Sequence, residues 1–316
     1  MKVLVTGARG FLGRYVIASL KRRGIETVAV GRPPRDGLED PAFISADLLS
    51  DWNAAEIIRA SGASHLIHLA WYTEHGKYWS SRLNLDWVGA TVRLVEAFCE
   101  GGGQHITAAG TCAEYDWAQG YCHEATTALT PRSLYGVAKD ATRRLVTAVC
   151  EQYGARFAWG RIFIPFGAGE SSERLVPALI GVFSGTKQPF GVDADAVRDF
   201  LHASDVAEGL VMLLLSGVHG AYNVSSGQPV QIKQVVETLA NRFNIDPHLV
   251  LRLYRERSDE PALLVGDNAN LKSLGWEPQL SLNAGLSRTL ADLGIRSSDP
   301  NLRAQGRIAN ETLPNL

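Results

Sequence analysis

Thr6-Gly7-Ala8-Arg9-Gly10-Phe11-Leu12-Gly13 decides the fold, because it links a valine-rich apolar run to an amphipathic stretch through glycines spaced G-x-x-G-x-x-G. Between a strand and a helix, this spacing is typical of a phosphate-binding turn. Gly7 permits the tight turn, Gly10 lets the backbone approach a pyrophosphate, and Gly13 allows the helix to pack closely on the strand. The helix N-terminus would then offer free N–H groups to the diphosphate. We expect a dinucleotide site here; the alternative is a loop that only turns the chain.

Strand and helix patterns alternate through the first half of the chain. Five runs read as strands: Lys2–Thr6, Glu26–Val30, His65–Ala70, Gln104–Ala109 and Arg156–Ile164. Amphipathic or helically spaced apolar residues occupy Phe11–Arg23 and Asn84–Cys99 between them. This alternation predicts right-handed βαβ units and an α/β fold with a Rossmann-type, doubly wound parallel sheet.

The alternation loses its regularity from about Phe166, which indicates a smaller α+β lobe that binds the substrate. We therefore predict a cofactor-binding domain at 1–166, to which 199–217 return. The substrate-binding lobe would comprise 167–198 and 218–296. Residues 297–316 are polar with little periodicity, and we expect a flexible tail there.

The bulk composition argues against several classes of protein. The chain has 316 residues, of which 46% are hydrophobic and 20% charged, with a net charge of -2. That balance predicts no nucleic-acid partner and no polybasic membrane contact, and no apolar run approaches the ~18 residues of a membrane span. The four cysteines lack C-x-x-C spacing and Met1 leads directly into the first strand. We expect no disulfide framework, no metal ligands, no signal peptide and a cytoplasmic location.

Tyr135 and Lys139 stand four residues apart in Y-G-V-A-K, on one face of a predicted helix. A lysine ammonium beside a phenol, whose usual pKa is about 10, favours ionisation of the phenol. A phenol with a lowered pKa can protonate a carbonyl oxygen or deprotonate an alcohol near neutral pH. The spacing is weak by itself, because exposed helices carry it by chance. It gains weight from the dinucleotide turn that precedes it.

The end of the second strand bears on which nicotinamide cofactor binds. NAD sites usually place an acid there for the ribose 2′-hydroxyl, but this chain has Gly31 followed by Arg32. With Arg9 from the glycine turn, and Arg35 as a possible third cation, the segment suits a 2′-phosphate. NADP(H) is therefore favoured over NAD(H). The alternative is that Arg32 and Arg35 are solvated loop residues.

Taken together, these motifs resemble the extended short-chain dehydrogenase/reductase family, whose members mostly act on nucleotide sugars. The resemblance covers about the first 290 residues. It is carried by T-G-A-R-G-F-L-G at 6–13, A-D-L at 46–48, H-L-A at 68–70, G-T-C-A-E-Y at 110–115, Y-G-V-A-K at 135–139 and R-D-F-L-H-A-S-D at 198–205.

The resemblance implies roles for individual residues. Thr111, Tyr135 and Lys139 match the catalytic set: Thr111 would hydrogen-bond the reacting oxygen, and Lys139 would bond the nicotinamide ribose and lower the pKa of Tyr135. The implied cofactor contacts are Gly7, Arg9, Gly10, Phe11, Leu12, Gly13, Gly31, Arg32, Asp47, Leu48, Leu69, Ala70, Trp71, Tyr135 and Lys139. The implied substrate contacts are Tyr72, Thr73, Thr111, Arg174 and Arg198.

Within that set, Arg198 would pair with the substrate diphosphate, although a salt bridge to Asp199 or Asp205 is an alternative. His202 and Asp205 read as structural residues that tie their segment to the sheet. His65 and His68 read as strand residues with satisfied side chains.

Departures from the family pattern restrict the types of reaction that the site could catalyse. The 4,6-dehydratases have an Asp and a Glu directly after the catalytic Thr, where this chain has Cys112 and Ala113. The cysteine base of GDP-fucose synthases would also fall at Ala113, and Cys112 reads as a small packed residue. Glu114 is expected on the other face of the strand. Ile164 replaces an asparagine that contacts substrate in many members.

These features favour an NADPH-dependent 4-ketoreductase acting on a nucleotide-linked 4-keto-6-deoxyhexose. One alternative is a nucleotide-sugar 4-epimerase that holds its NAD(P) tightly; another is a small aldehyde or flavonoid-like ketone as substrate. A third is a catalytically silent NADP-binding scaffold or regulator. The resemblance also implies a homodimer through a four-helix bundle, formed by the helices around Asn84–Cys99 and Tyr135–Tyr153. The alternative there is a monomer.

Overall fold

A computed structural model describes residues 1–32, 42–50, 52–255 and 260–295. Its strands are β1 Lys2–Thr6, β2 Glu26–Gly31, β3 Phe43–Ser45, β4 His65–His68, β5 His105–Thr111, β6 Tyr121–Cys122, β7 Arg156–Ile162, β8 Ile164–Phe166, β9 Val197–Arg198, β10 Phe200–His202, β11 Gly220–Val224, β12 Val230–Gln231 and β13 Leu263–Gly266. Its α-helices are α1 Phe11–Arg22, α2 Ala54–Ser61, α3 Leu83–Glu100, α4 Leu134–Tyr153, α5 Leu175–Phe183, α6 Ala203–Leu215, α7 Ile232–Phe243, α8 His248–Leu251, α9 Ala269–Lys272 and α10 Leu282–Asp292.

The larger sheet is parallel, with seven strands in the order β11-β7-β5-β4-β1-β2-β3. The chain moves outward from β1 in one direction through β2 and β3, and in the other through β4, β5 and β7. The order therefore reverses between β1 and β4. Ligands of such sheets bind in the crevice beyond the carboxyl ends of the strands at this reversal.

Both faces of this sheet are covered, as the alternation along β1 requires. Val3 and Val5 face the helices α1 and α6, whereas Leu4 faces the opposite core, beneath α2, α3 and α4. All three side chains are fully buried. The expected doubly wound architecture is confirmed.

A second lobe surrounds its own core. Helices α5, α7 and α10 bury apolar side chains such as Leu179, Leu239 and Leu286 there. A four-stranded sheet in the order β12-β9-β13-β6 lies beside this core. The loss of βα alternation after residue 166 reflects this change of architecture.

The expected domain boundaries need one change. Segment 199–217 supplies α6, which packs on the large sheet together with α1. The return continues further, however, because β11 at Gly220–Val224 pairs in parallel with β7 at the sheet edge. The expected tail at 297–316 and Arg35 lie outside the described residues. Within the described ranges, no helix is long and apolar enough to cross a membrane.

We expect Gly13→Ala to destabilise the fold. A Cβ at Gly13 would lie 2.1 Å from the carbonyl oxygen of Gly7 and 2.6 Å from the backbone of Ala8, so main chain must move. Overpacking of this kind costs about 1–3 kcal/mol in free energy of unfolding, measurable by urea denaturation. Gly89→Ala in α3 is the matched control, since its Cβ would meet only the Arg93 guanidinium, at 3.6 Å. A Gly13→Ala variant as stable as the control would contradict this account.

Candidate active site

The glycine turn lies directly against the end of β4. Gly7 adopts φ +67°, and a Cβ there would lie 2.9 Å from the backbone nitrogen of Ala70. Thr6 fixes this approach, because its hydroxyl oxygen accepts hydrogen bonds from the N–H groups of Leu69 and Ala70, each at 3.1 Å. The predicted cofactor contacts Leu69 and Ala70 therefore lie beside the predicted phosphate-binding turn.

His68 connects Thr6 at this junction to Thr91 on α3. One ring nitrogen bonds the Thr6 hydroxyl at 2.8 Å and the other bonds the Thr91 hydroxyl at 3.0 Å. Burial and, to a smaller extent, the nearby Lys139 charge lower the pKa of His68 to about 3, so the ring is neutral. His65 contacts the Ser64 hydroxyl at 2.9 Å. The expectation that both histidines have satisfied side chains is confirmed.

Helix α1 begins in a way that suits an anion. Gly10 is its N-cap, no side chain caps the helix, and its first turn, which holds Phe11, Leu12 and Gly13, contains no acidic residue. A Cβ at Gly10 would lie 3.1 Å from the carbonyl oxygen of Gly7, so the turn has little room for a side chain at this position. Free N–H groups and the positive end of the helix dipole face the crevice at the sheet reversal. These residues fit the diphosphate of a dinucleotide.

Up to Arg32, where the described part of this segment stops, the end of β2 has no carboxylate. A side chain at Gly31 would have room, since its Cβ would meet only the Phe43 ring, at 3.9 Å. The Arg9 guanidinium carbon lies 4.1 Å from the centroid of that same ring, and both Arg9 and Arg32 are exposed.

On the adjoining segment, Asp47 is exposed and Leu48 is buried. The Asp47 carboxylate accepts a hydrogen bond from the N–H of Leu49 at 3.1 Å. That bond sets the direction of the predicted adenine contact.

Thr111 and Tyr135 meet where β5 ends and α4 begins. Ser133 caps α4 by accepting from the N–H of Gly136, and a Cβ at Gly136 would lie 2.4 Å from the carbonyl oxygen of Ala113. This glycine lets the first turn of α4 approach the chain that follows Thr111. The Thr111 hydroxyl lies next to Tyr135 and lowers the pKa of its phenol. The structure thus brings together the two predicted hydroxyl groups.

The pKa of Tyr135 differs from the expectation. Burial raises it well above its usual value, and the nearby Tyr78 raises it further, whereas the adjacent Thr111 hydroxyl lowers it. Lys139 does not supply the expected lowering in this structure, because its amine points elsewhere. The Nζ atom donates to the carbonyl oxygen of Ala109 at 2.9 Å and lies 3.8 Å from the Trp71 ring centroid.

Lys139 is itself strongly perturbed. Burial lowers its pKa to about 7, while the Glu114 carboxylate opposes this shift. Trp71, a predicted cofactor contact, forms part of its enclosure and donates its indole N–H to Asn84 at 2.9 Å. A lysine that changes charge near neutral pH beside a buried tyrosine is the setting that proton transfer requires.

An aromatic shell around Tyr135 escaped sequence analysis. Tyr78 and Trp79 meet its ring edge-on at centroid distances of 4.8 and 5.7 Å, and Trp79 also meets Trp117 at 6.0 Å. The neighbouring pair Tyr78-Trp79 in the connection before α3 was the available signal. Periodicity does not report on aromatic residues outside helices and strands.

The predicted substrate residues are spread around this shell. Arg174, the N-cap of α5, lies 3.5 Å from the Tyr78 hydroxyl. The hydroxyl of Tyr72 donates to Glu74 at 2.8 Å, and Thr73 is exposed.

Arg198 is buried and pairs with Glu260 at 3.0 Å, while also donating to the carbonyl oxygen of Pro261 at 2.6 Å. Its partner is neither Asp199 nor Asp205. Those two carboxylates accept backbone N–H groups, of Ser226, Gly227 and Gly266 for the first and of Gln279 and Leu280 for the second. His202 caps α6, so the structural roles expected for His202 and Asp205 are confirmed.

The turn after Thr111 differs from the sequence prediction in the position of Glu114. Cys112 is buried in an apolar cluster, and burial raises the pKa of its thiol, as a packed cysteine requires. Glu114, however, does not lie on the far face of a strand. The strand ends at Thr111, and Cys112–Glu114 form a 3-10 turn that buries the carboxylate completely. Among the described residues, no group of His, Cys, Asp and Glu could hold a metal ion.

Comparisons with known proteins agree with this geometry. The model of the NAD dependent epimerase/dehydratase family matches residues 3–225. GDP-6-deoxy-D-mannose reductase of Pseudomonas aeruginosa is 27% identical, over 92% of this chain and 96% of its own. UDP-glucose 4-epimerase of Corynebacterium glutamicum is 26% identical, over 88% and 91%. The solved structure of MoeE5 with UDP-glucuronic acid and NAD is 28% identical, with a TM-score of 0.80 over 92% of this chain and 98% of that one.

The chain therefore belongs to the NAD dependent epimerase/dehydratase family, and it is an enzyme of the extended short-chain dehydrogenase/reductase type. The resemblance identified from the sequence motifs is confirmed.

Proposed function

We propose that this member of the NAD dependent epimerase/dehydratase family reduces the keto group of a nucleotide-linked 4-keto-6-deoxyhexose with NADPH. One observation carries the proposal. Tyr135 and Lys139 lie on α4, with Tyr135 next to Thr111, while Cys112 and Ala113 offer no acid or base for a second proton transfer at neutral pH. Such a site supports chemistry at one carbon.

Each residue has a role in this reaction. NADPH, held at the glycine turn by Gly7, Gly10 and the start of α1, would supply the hydride. Tyr135 gives its proton to the carbonyl oxygen as negative charge develops there, and Thr111 holds that oxygen by a hydrogen bond. The Lys139 ammonium stabilises the phenolate that Tyr135 becomes. Because burial favours the neutral phenol, Tyr135 starts in the protonated form that a reduction needs.

The remaining substrate contacts are proposed from position. Arg174 reaches the aromatic shell next to Tyr135, and we assign its segment to the nucleotide base. Arg198 has the guanidinium fork that suits a diphosphate, for which it would exchange its partner Glu260. Tyr72 and Thr73 would meet the sugar. A 6-deoxy sugar presents a methyl group, for which the rings of Trp79 and Trp117 are suitable neighbours. The reaction would take place in the cytoplasm, where sugar nucleotides and NADPH are available.

The relatives support this class of substrate, and one of them has the competing epimerase activity. The name of the Pseudomonas aeruginosa relative describes a reductase of a GDP-linked deoxy sugar. The Corynebacterium glutamicum relative is a 4-epimerase, which could use the same three residues with a cofactor that is oxidised and reduced again in place. The two activities differ in whether NADPH is consumed.

We expect Tyr135→Phe to lower kcat by about 10²–10⁴-fold, because it removes the proton donor. The assay follows loss of NADPH absorbance with dTDP-, GDP-, CDP- and UDP-linked 4-keto-6-deoxyhexoses. NADPH affinity, measured by calorimetry, should stay close to that of the wild type. Tyr153→Phe at the exposed end of the same helix is the control and should keep full activity.

Three other results would each reject the reductase. Interconversion of 4-epimers without net NADPH loss would identify the epimerase. Turnover of small aldehydes or aromatic ketones alone would place the substrate outside the nucleotide sugars. No turnover of any ketone, with Tyr135→Phe indistinguishable from wild type in cells, would indicate a scaffold or regulator.

The preference for NADP(H) is a separate proposal, which rests on Arg9, Arg32 and the missing acid at Gly31. We expect Gly31→Asp to shift preference toward NAD(H) by at least tenfold in the ratio of kcat/KM values. The new carboxylate would accept from a ribose 2′-hydroxyl and repel a 2′-phosphate, and the site has room for it. Gly31→Ala controls for the added Cβ. Equal preference in Gly31→Asp and Gly31→Ala would count against this assignment.

A homodimer through α3 and α4 is proposed as well. These helices pack on each other, yet Leu85 and Val137 remain exposed on them, as does Leu145 at 48%. We expect Leu145→Glu to shift the mass measured by light scattering from dimer toward monomer, since a buried charge in the bundle is costly. Leu249→Glu in α8, where Leu249 is 44% exposed, should leave the mass unchanged. A wild-type monomer would refute the proposal.

A further inference from the structure

Glu114 is a buried carboxylate that the proton and hydride steps above do not use. Its Oε2 accepts from Nε of Arg161 at 2.8 Å, and its two oxygens accept from the indole N–H of Trp159 at 2.9 and 3.0 Å. The exposed fractions of the Glu114 and Arg161 side chains are 0% and 2%. Desolvation makes a buried ion pair weak evidence for a purely stabilising role. The position of the pair beside the catalytic residues points to another one.

The same carboxylate holds the backbone of Thr111. Its Oε1 accepts from the N–H of Thr111 at 2.8 Å, while the Thr111 hydroxyl oxygen accepts from the N–H of Ala113 at 3.2 Å. These reciprocal bonds form a capping box around the 3-10 turn. They set the place of the Thr111 hydroxyl, which lies next to Tyr135.

Glu114 also acts on Lys139 through space. The Nζ atom of Lys139 lies 5.8 Å from the centroid of the Trp159 rings, whose N–H is bound to Glu114. Burial works against a charged amine at this place, and the negative charge of Glu114 favours it.

The other polar groups around Lys139 do not supply a free negative charge near its amine. On β4, His68 is neutral, and on β7, Arg161 is bound to Glu114. On α4 itself, Tyr135 is held neutral by burial. The carboxylate of Asp140 accepts from both Arg143 and Arg144, at 2.7 Å in each case. Within the part of the chain that the structure describes, Glu114 is the carboxylate whose charge acts on Lys139.

We propose that Glu114 is a positioning residue for the catalytic groups, holding Thr111 at the end of β5 and supplying a buried negative charge near the amine of Lys139. The effect on turnover rests on the proposed reduction, because an ammonium at Lys139 stabilises the phenolate left by Tyr135. The charge state of Lys139 is a property of the chain alone. The two parts can therefore be tested separately.

Three variants isolate the charge of Glu114. Glu114→Gln keeps an oxygen for the N–H of Thr111 but leaves Arg161 buried without its partner. A double variant, Glu114→Gln with Arg161→Met, removes both charges and carries the test if the single variant does not fold. Glu124→Gln is the matched control, since Glu124 also accepts a hydrogen bond from a backbone N–H, that of Asn223 at 2.8 Å.

The first measurement is a side-chain NMR titration of carbon-13-labelled lysine in the substrate-free protein, with the Lys139 signal assigned from Lys139→Arg. We expect the Lys139 midpoint to fall by about one pH unit or more in both Glu114 variants. It should stay at the wild-type value in Glu124→Gln. An unchanged midpoint in the folded Glu114 variants would overturn the proposal.

The second measurement is the pH profile of NADPH-dependent turnover. The alkaline limb of kcat should move to lower pH in Glu114→Gln, with KM for the sugar nearly unchanged, because Lys139 loses its proton earlier. A merely structural role would lower activity equally at all pH values and would refute the catalytic part. If the wild type reduces no keto sugar, the proposed function fails, while the NMR titration still decides the role of Glu114.

Discussion

A contact between backbone atoms, with no room for side chains, underlies the cofactor end of the molecule. The turn at Gly7 lies against the amide of Ala70, and Gly13 brings the first turn of α1 against Gly7 and Ala8. Strand β1, helix α1 and the end of β4 are thereby joined at one point. Thr6 and His68 reinforce the junction with a chain of hydrogen bonds that ends on α3 at Thr91. The crevice at the reversal of strand order owes its shape to this close packing.

Much of this architecture could be predicted because it depends on local pattern. The valine-rich β1, the glycine spacing at 6–13 and the helical spacing in α3 each report on a few neighbouring residues, and all describe the same sheet. The pairing of β11 with β7 could not be predicted in that way. Gly220–Val224 is short and lies far from β7 along the chain, so only tertiary structure reveals where it belongs.

The candidate site shows the same division between local and tertiary information. Motif spacing indicated Thr111, Tyr135 and Lys139, and the structure places the first two next to each other. It did not indicate their charge states, because burial decides these and burial depends on the whole fold. Sequence reasoning expected a lowered pKa for Tyr135, whereas the aromatic shell raises it. It also placed Glu114 on a strand face, although the strand ends at Thr111 and the next residues turn inward.

The path of the chain between the two lobes limits how the protein can be divided. After the first visit to the second lobe, the chain returns to form α6 and β11, and then leaves again for α7. A fragment ending near residue 166 would lack the helix that shares a core with α1 and would expose the β7 edge. Neither lobe is a contiguous, separable module. New substrate specificities would therefore arise by changing surface loops within one cooperative unit rather than by exchanging a detachable domain.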